Sequence, residues 1–162
     1  MSNEKDLFSN RPERQKAFRQ MARRIKRKRL RDLDDTMQQL HDEAFQEVDC
    51  LECANCCKTT GPLFTDKDIS RLARRFRIKP ADFEAQYLKQ DEDGDLVLQK
   101  LPCPFLEEDN RCSVYEDRPK ACREYPHTDR RRQLQIIDLT VRNAKICPAV
   151  YDMLVRLEAR MS

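Results

Sequence analysis

Glycine is nearly absent from this sequence, and its scarcity excludes several classes of function. The chain of 162 residues has two glycines, Gly61 and Gly94, whereas phosphate-binding loops and dinucleotide-binding turns each need several glycines close together. The sequence also lacks an HExxH helix and a motif that pairs a nucleophile with a base. The sequence therefore contains no motif that predicts an enzymatic activity, although a bound iron–sulfur cluster would bring redox chemistry of its own.

Long apolar runs are missing as well. The first ten residues, MSNEKDLFSN, are polar, and no apolar run approaches the roughly 18 residues of a membrane span. We therefore expect a cytoplasmic protein without a membrane span, whose thiols stay reduced. Charged residues make up 38% of the chain and hydrophobic residues 39%, so we expect a thin apolar core.

Cysteine is the residue that this chain has in excess. Four of its eight cysteines lie in the stretch CLECANCC, spaced C-x2-C-x2-C-C, and four follow singly. Two-residue spacings let neighbouring sulfurs converge on one ion, and reduced thiols favour metal binding over disulfides. A structural zinc ion would contribute about 10–16 kcal/mol of folding free energy that a thin core lacks. The candidate metal ligands are Cys50, Cys53, Cys56, Cys57, Cys103, Cys112, Cys122 and Cys147.

Two kinds of metal centre suit these cysteines. Eight thiolates can form two closed, structural four-sulfur zinc sites. Alternatively, four of them can hold a 4Fe-4S cluster, because the first three have the C-x2-C-x2-C spacing of a ferredoxin-type triplet. Cys147-Pro148 then matches the distant cysteine that completes such a cluster. Arg118 and Arg123 either offset the charge of these thiolates or pair with nearby acids.

The N-terminal segment is strongly basic. Between Arg11 and Arg31, eleven Lys and Arg residues accompany one acid, Glu13, for a net charge of +10, and the chain's overall +3 leaves −7 for the remainder. Its apolar residues follow helical spacing and predict a long helix that begins at Pro12 and is capped by Ser9 or Asn10. These apolar residues are Phe18, Met21, Ala22, Ile25, Leu33, Met37, Leu40 and Ala44.

Two interpretations of the basic helix stay open. It either packs its apolar stripe on an acidic body and leaves a solvated face, or it contacts a nucleic acid or an acidic protein partner through residues 11–31. A membrane surface is a third possible binding partner of the basic helix. No aromatic residue interleaves with the basic run, so it offers no stacking platform for single strands.

Local signals outline the rest of the chain. Thr65 and Asp68 form a capping box before a helix that ends ahead of Pro80, and a second short helix follows. Residues 96–98 indicate a strand after the Asp93-Gly94 turn, and Asp109-Asn110 is typical of a tight turn that returns Cys112 to Cys103. Arg118-Pro119 starts a helical turn that ends near Cys122. RQLQIIDLT resembles a strand, and Pro148 starts a final helix.

The other residues that could bind a metal ion are weaker candidates than the cysteines. We expect His127 to lie in a surface turn and His41 to be solvated on the long helix. The acidic run Asp91–Asp95 lacks the twelfth-position Glu of a calcium loop, so it indicates an exposed turn.

The cysteine motifs together resemble a known family. CLECANCC, CPFL at Cys103, CSVYEDRPKACREYP around Cys112 and Cys122, and the closing Cys147 are similar to the CxxCxxCC (YkgJ-like) family of zinc- or iron-chelating domains. The resemblance covers about residues 50–147 and implies that each of the eight cysteines is a metal ligand. Ala54 stands where the family usually has glycine, which bears on the local turn. The resemblance implies no reaction.

We therefore predict a mainly α protein with a small irregular or β, cysteine-rich, metal-bound core and a long basic N-terminal helix. Residues 1–48 form the basic arm and residues 49–162 the metal-binding domain. The predicted function is a zinc- or iron-binding module in structure, interaction or metal handling. The alternative is an iron–sulfur protein for electron transfer or for the cluster-dependent modification of another protein.

Overall fold

The computed structural model describes residues 12–49 and 53–161. The predicted caps Ser9 and Asn10 and the predicted ligand Cys50 lie outside these residues. Within them the protein is mainly helical, with one small antiparallel sheet, as predicted. The helices are α1 (Pro12–Lys28), α2 (Leu33–Glu47), α3 (Asn55–Thr59), α4 (Asp66–Phe76), α5 (Pro80–Tyr87), α6 (Lys120–Glu124), α7 (Gln133–Asn143) and α8 (Pro148–Met161), and the strands are β1 (Leu88–Gln90) and β2 (Leu96–Leu98).

Contacts divide the chain into two units. Met1–Asp49 with Pro126–Ser162 form a helical unit, and Cys50–Tyr125 form a cysteine unit. The predicted division into a basic arm, residues 1–48, and a metal-binding domain, residues 49–162, stays a prediction. Within residues 12–49 and 53–161, none of the helices has both the length and the hydrophobicity that a membrane span requires.

The helical unit buries the apolar stripe of the N-terminal segment. Helix α1 packs on α7, and α2 packs on α8. All eight apolar residues that the helical spacing identified are 2% exposed or less, so their burial is confirmed. The predicted single long helix is wrong: Arg29 adopts a left-handed conformation (φ 45°), and the chain forms two helices. This break allows each helix to lay its own apolar face on a different partner.

Helix α7 corrects the strand predicted for RQLQIIDLT. Its buried residues Gln133, Ile137, Thr140 and Val141 follow helical spacing on one face. The N-cap residue, Arg132, has a left-handed backbone and makes no side-chain cap. The cap comes instead from Asp34 in the first turn of α2.

His41 is also placed differently from the prediction of a solvated side chain. Its Nδ1 atom lies 2.7 Å from the hydroxyl of Thr128, which is fully buried. The ring also packs against Phe45, with 4.6 Å between ring centroids. The partner is distant in sequence, so no local pattern indicates this contact.

The cysteine unit has its own apolar core. Helices α4 and α5 and the β1–β2 hairpin contribute most of it, and Leu88 pairs with Leu98 in the sheet. The predicted capping box of Thr65 and Asp68 and the predicted strand at Leu96–Leu98 are both confirmed. The buried core residues are Phe64, Ile69, Leu72, Ala73, Phe83, Leu88, Leu98, Phe105 and Val114.

The cap of α7 by Asp34 gives a testable prediction for the helical unit. Its carboxylate accepts hydrogen bonds from the backbone N–H groups of Gln133 (2.8 Å) and Arg132 (3.0 Å). The Gln133 N–H lowers the pKa of Asp34, against the opposing effect of burial, and the Arg132 N–H and the Arg131 charge lower it further. We expect Asp34→Ala to lower the free energy of unfolding at pH 7 by about 1–2 kcal/mol.

Because the folded-state pKa of Asp34 is lowered, its contribution is present above the ordinary carboxyl pKa and is lost as the pH falls through the folded value. Urea denaturation followed by circular dichroism should therefore show the difference from wild type at pH 7 and a smaller one at acid pH. The matched control is Asp35→Ala, whose carboxylate makes only an exposed 3.5 Å pair with Arg131 and should contribute less than about 0.5 kcal/mol. Equal losses in both variants would contradict the cap.

Candidate metal centre

Six of the predicted cysteine ligands lie in the described part of the cysteine unit. All six are half-buried, and none is in a disulfide. Cys147 is buried in the helical unit, directly before α8. The six are Cys53, Cys56, Cys57, Cys103, Cys112 and Cys122.

Cys57 lies on the one-turn helix α3, which starts from an unusual backbone position. Ala54, its N-cap residue, is left-handed with φ 47°, and glycine adopts that conformation at the least cost. The C=O of Cys57 accepts a 2.7 Å hydrogen bond from the backbone N–H of Cys103, so the first cysteine segment is joined directly to the second.

Cys103 and Cys112 are brought together by a tight loop. Leu106 forms a bridge with Cys112, and the Ser113 N–H donates to the C=O of Phe105 at 2.8 Å. Asn110, with φ 68°, makes the turn between them, which confirms the prediction for Asp109-Asn110. Both cysteines pack on the apolar core of the unit, so the loop has a rigid support.

Cys122 lies on α6, and α4 fixes the segment that leads to it. Asp68 of α4 accepts a 3.1 Å hydrogen bond from the backbone N–H of Lys120, the first residue of α6. The guanidinium of Arg71 donates to the C=O of Arg118 at 2.7 Å and also contacts Asp68 at 3.0 Å. The helical turn predicted after Arg118-Pro119 is therefore present and is anchored from a distant helix.

Arg75 extends this contact to the residues after Cys112. Its guanidinium donates to the Asp117 carboxylate and to the C=O of Ser113, both at 2.9 Å. The sequence predicted α4 and its capping box but gave its polar residues no part in the metal centre. The signal was their spacing, because positions 68, 71 and 75 lie on one face of a helix.

Four thiols interact electrostatically, and we call Cys57, Cys103, Cys112 and Cys122 the four-thiol set. Burial raises the pKa of Cys122 to about 12, and repulsion from the other three thiols adds to this. Burial likewise raises the pKa of Cys103 to about 11, with added repulsion from Cys57 and Cys112. Burial also raises the pKa of Cys112, with repulsion from Cys57 adding to it.

Two effects oppose this repulsion. A hydrogen bond with the Cys56 side chain lowers the pKa of Cys57 to about 7. The charge of Arg118 acts to lower the pKa values of both Cys112 and Cys122, which favours the first of the two roles predicted for it. Arg118 is held by the C=O of Tyr115, 2.8 Å from its Nε, and lies 3.8 Å from the centre of the Tyr115 ring. The role predicted for Arg123 stays a prediction.

The four-thiol set fits a thiophilic ion by its chemistry. Thiolates bind zinc and iron, and adjacent sulfurs of one tetrahedral zinc site lie about 3.8 Å apart. In the described residues only Asp91, Asp93 and Asp95 bring three potential ligand atoms within 4.8 Å of one another, so no three of the four sulfurs are that close. A bound ion would need the thiols to move closer together.

The acidic group itself is a feature of the β1–β2 turn. One carboxylate oxygen of Asp91 accepts hydrogen bonds from the backbone N–H groups of Asp93 and Asp95, both at 2.9 Å. Gly94, at φ 82°, completes the turn. The turn geometry alone explains why the three carboxylates are close, and the expectation of an exposed turn is confirmed.

A family model with the description "putative zinc- or iron-chelating domain", CxxCxxCC, matches residues 49–148. The chain belongs to this family. The match spans every residue of the four-thiol set and also Cys50, Cys53, Cys56 and Cys147. No solved structure matches the chain.

The contacts of Asp68 give a second testable prediction. This carboxylate is 1% exposed and accepts from Lys120, Arg71 and the Thr65 N–H. Its removal leaves buried donors without an acceptor and also removes the capping box, so Asp68→Ala should lower the free energy of unfolding by about 2–4 kcal/mol.

The matched control is Asp66→Ala, because Asp66 is an exposed acid in the first turn of the same helix. It should lose less than about 1 kcal/mol, the contribution of the helix dipole. Chemical denaturation of both variants measures the difference. A loss at Asp68 no larger than that at Asp66 would show that α4 does not fix the segment before Cys122.

Proposed function

We propose that the protein is a cytoplasmic metal-binding module in which the four-thiol set holds one zinc or iron ion in a structural site. The observation that carries the proposal is geometric: the backbone N–H of Cys103 donates to the C=O of Cys57 at 2.7 Å, and the Leu106–Cys112 bridge returns Cys112 toward Cys103. Burial raises the pKa of Cys122 and repulsion from these three thiols adds to this, which supports its place in the same set. The family to which the chain belongs is described by zinc or iron chelation. Cytoplasmic thiols stay reduced, as such a site requires.

The size of the cysteine unit supports a structural role for the ion. Cys50–Tyr125 is close to the length of about 70–80 residues below which an apolar core alone rarely supplies enough stability. Its core has nine buried apolar residues. A bound metal ion would link α3, the Cys103–Cys112 loop and α6. Of these three segments, the apolar core contacts the Cys103–Cys112 loop.

The chain's own residues would have distinct tasks in this site. The four thiols would supply the ligands, and four thiolates close a tetrahedral ion to substrate. Arg118 would offset part of their negative charge, and the α4 contacts would hold Cys122 in place. Cys50, Cys53, Cys56 and Cys147 are proposed as further metal ligands, from the spacing of the first three and the proline after Cys147 in the sequence.

The alternative function rests on those other cysteines. The triplet at positions 50, 53 and 56 has ferredoxin-type spacing, and Cys147 precedes a proline. A 4Fe-4S cluster would supply one-electron chemistry, and the protein would then act in electron transfer or in modifying another protein.

The metal content of anaerobically purified protein decides between the two functions. One or two zinc ions, or iron without sulfide, and no broad visible band support the structural module. Iron with matching sulfide and a broad band near about 400 nm support the cluster. Protein that is folded and lacks both metals would overturn the family-based proposal.

A substitution within the four-thiol set tests its assignment. Cys112→Ser should remove the metal of this set and destabilise the cysteine unit by several kcal/mol, since structural zinc contributes about 10–16 kcal/mol. The control is Ser113→Ala, next to it and exposed, which should retain wild-type metal content and stability. Elemental analysis and thermal denaturation provide the readouts.

The same experiment on Cys53→Ser separates the two groups of cysteines. If the groups bind separate metal, Cys53→Ser should keep the metal of the four-thiol set and Cys112→Ser should lose it. Equal metal loss in both variants would contradict a separate four-thiol site.

A further inference from the structure

Five cationic side chains of α1 form an exposed surface, which we call the basic face. All five are exposed, and within residues 12–49 and 53–161 none has a hydrogen-bond or ion-pair partner. Two other cations of α1 do have partners: Arg14 lies 3.1 Å from Glu158, and Lys26 lies 2.8 Å from Asp138. The basic face consists of Lys16, Arg19, Arg23, Arg24 and Arg27.

The basic face and the buried stripe of α1 lie on opposite sides of the helix. Phe18, Met21 and Ile25 are at most 1% exposed, and helical spacing places positions 16, 23 and 27 away from them. Arg23, Arg24 and Arg27 also line a shallow, open groove beside the helix. The face is therefore accessible within its unit.

The five cations of the basic face do not stabilise the protein through contacts with one another. Arg19, Arg23 and Arg27 follow one another at i, i+4 spacing, at which like charges repel. Of the five cations, Arg27 alone lies in the last turn of α1, where the helix dipole favours positive charge. A polyanion outside the described residues would offset the repulsion among the rest.

We propose that the basic face of α1 binds the phosphodiester backbone of a nucleic-acid duplex. The five cations extend over about 16 Å of helix axis at about 1.5 Å per residue, and a duplex presents one phosphate charge about every 1.7 Å along its own axis. Phosphates are therefore dense enough to pair with each cation. Four of the five are arginines, whose planar guanidinium binds phosphate oxygens with two parallel hydrogen bonds.

Other polyanions fit this face less well. Membrane insertion needs an exposed apolar stripe, and the stripe of α1 is buried in the helical unit. Single-strand binding needs aromatic stacking platforms, and the face has none. Protein interfaces rely on buried aromatic or apolar anchors, whereas the neutral residue exposed among these cations is Gln20.

The test is the salt dependence of binding by the full-length, metal-replete protein to short labelled duplexes of mixed sequence. Fluorescence anisotropy would be recorded with duplex DNA and, separately, with duplex RNA. Contacts to four or five phosphates predict a slope of log K against log salt of about −4, a loss of a few hundredfold in affinity between about 50 and 200 mM salt.

A triple variant tests the residues themselves. Lys16→Gln, Arg23→Gln and Arg27→Gln together remove three contacts, so the slope should fall to about −1.5. The matched control carries Lys67→Gln, Arg74→Gln and Lys79→Gln, exposed residues of the cysteine unit, and changes net charge equally. It should keep the wild-type slope. Circular dichroism and metal analysis should be unchanged in both variants.

The outcomes separate this proposal from its alternatives. Binding of a DNA or an RNA duplex that is tighter than binding of the other polyanions supports the proposal. The duplex that binds more tightly identifies the kind of nucleic acid. Equal slopes for the two triple variants would overturn it in favour of a general charge effect. Single strands, polyglutamate or phosphatidylserine vesicles bound as tightly as duplexes would each overturn it in favour of that partner class. The result does not depend on which metal the protein holds.

Discussion

The arrangement of the cysteine unit depends on one buried carboxylate, that of Asp68. It accepts hydrogen bonds from Thr65 at the start of α4, from Arg71 one turn along and from Lys120 at the start of α6. Burial disfavours its charged form, but these donors outweigh that effect and lower its pKa. A single charged group therefore starts one helix, orients an arginine and places another helix.

The apolar core supports the same loops from a second direction. Phe105, between Cys103 and Cys112, packs against Phe83 and Tyr87, with ring centroids 6.1 and 5.1 Å apart. The polar contacts of α4 hold the backbone on the far side of Cys112. Both anchors act on the chain and not on the sulfur atoms. They therefore fix the backbone that carries Cys103 and Cys112.

The sequence predicted elements whose signals are local. The capping box at Thr65, the turn at Asp109-Asn110 and the helix from Pro148 each depend on residues within a few positions, and all three are present. The errors concern contacts distant in sequence. Asp34 caps α7 across 99 positions, and His41 meets Thr128 across 87, so local patterns could not show which group starts α7 or that His41 is half-buried. Two of the residues on the buried face of α7, Gln133 and Thr140, are polar, so the apolar pattern alone did not identify that face.

The same limit applies to the candidate site and to its partners. Spacing identified the cysteines, but it emphasised the neighbours in CLECANCC, whereas the thiols that interact with Cys57 come from two further segments, the Cys103–Cys112 loop and α6. Charge patterning likewise located the basic segment but not which cations lack partners. Groups of like charge come close together in each unit: in addition to burial, repulsion between thiolates raises the pKa values of Cys103, Cys112 and Cys122, and the cations of the basic face have no anionic partner among the described residues. An ion would relieve the repulsion among thiolates in one unit, and phosphates would relieve that among arginines in the other, so electrostatics indicates a ligand of opposite charge for each.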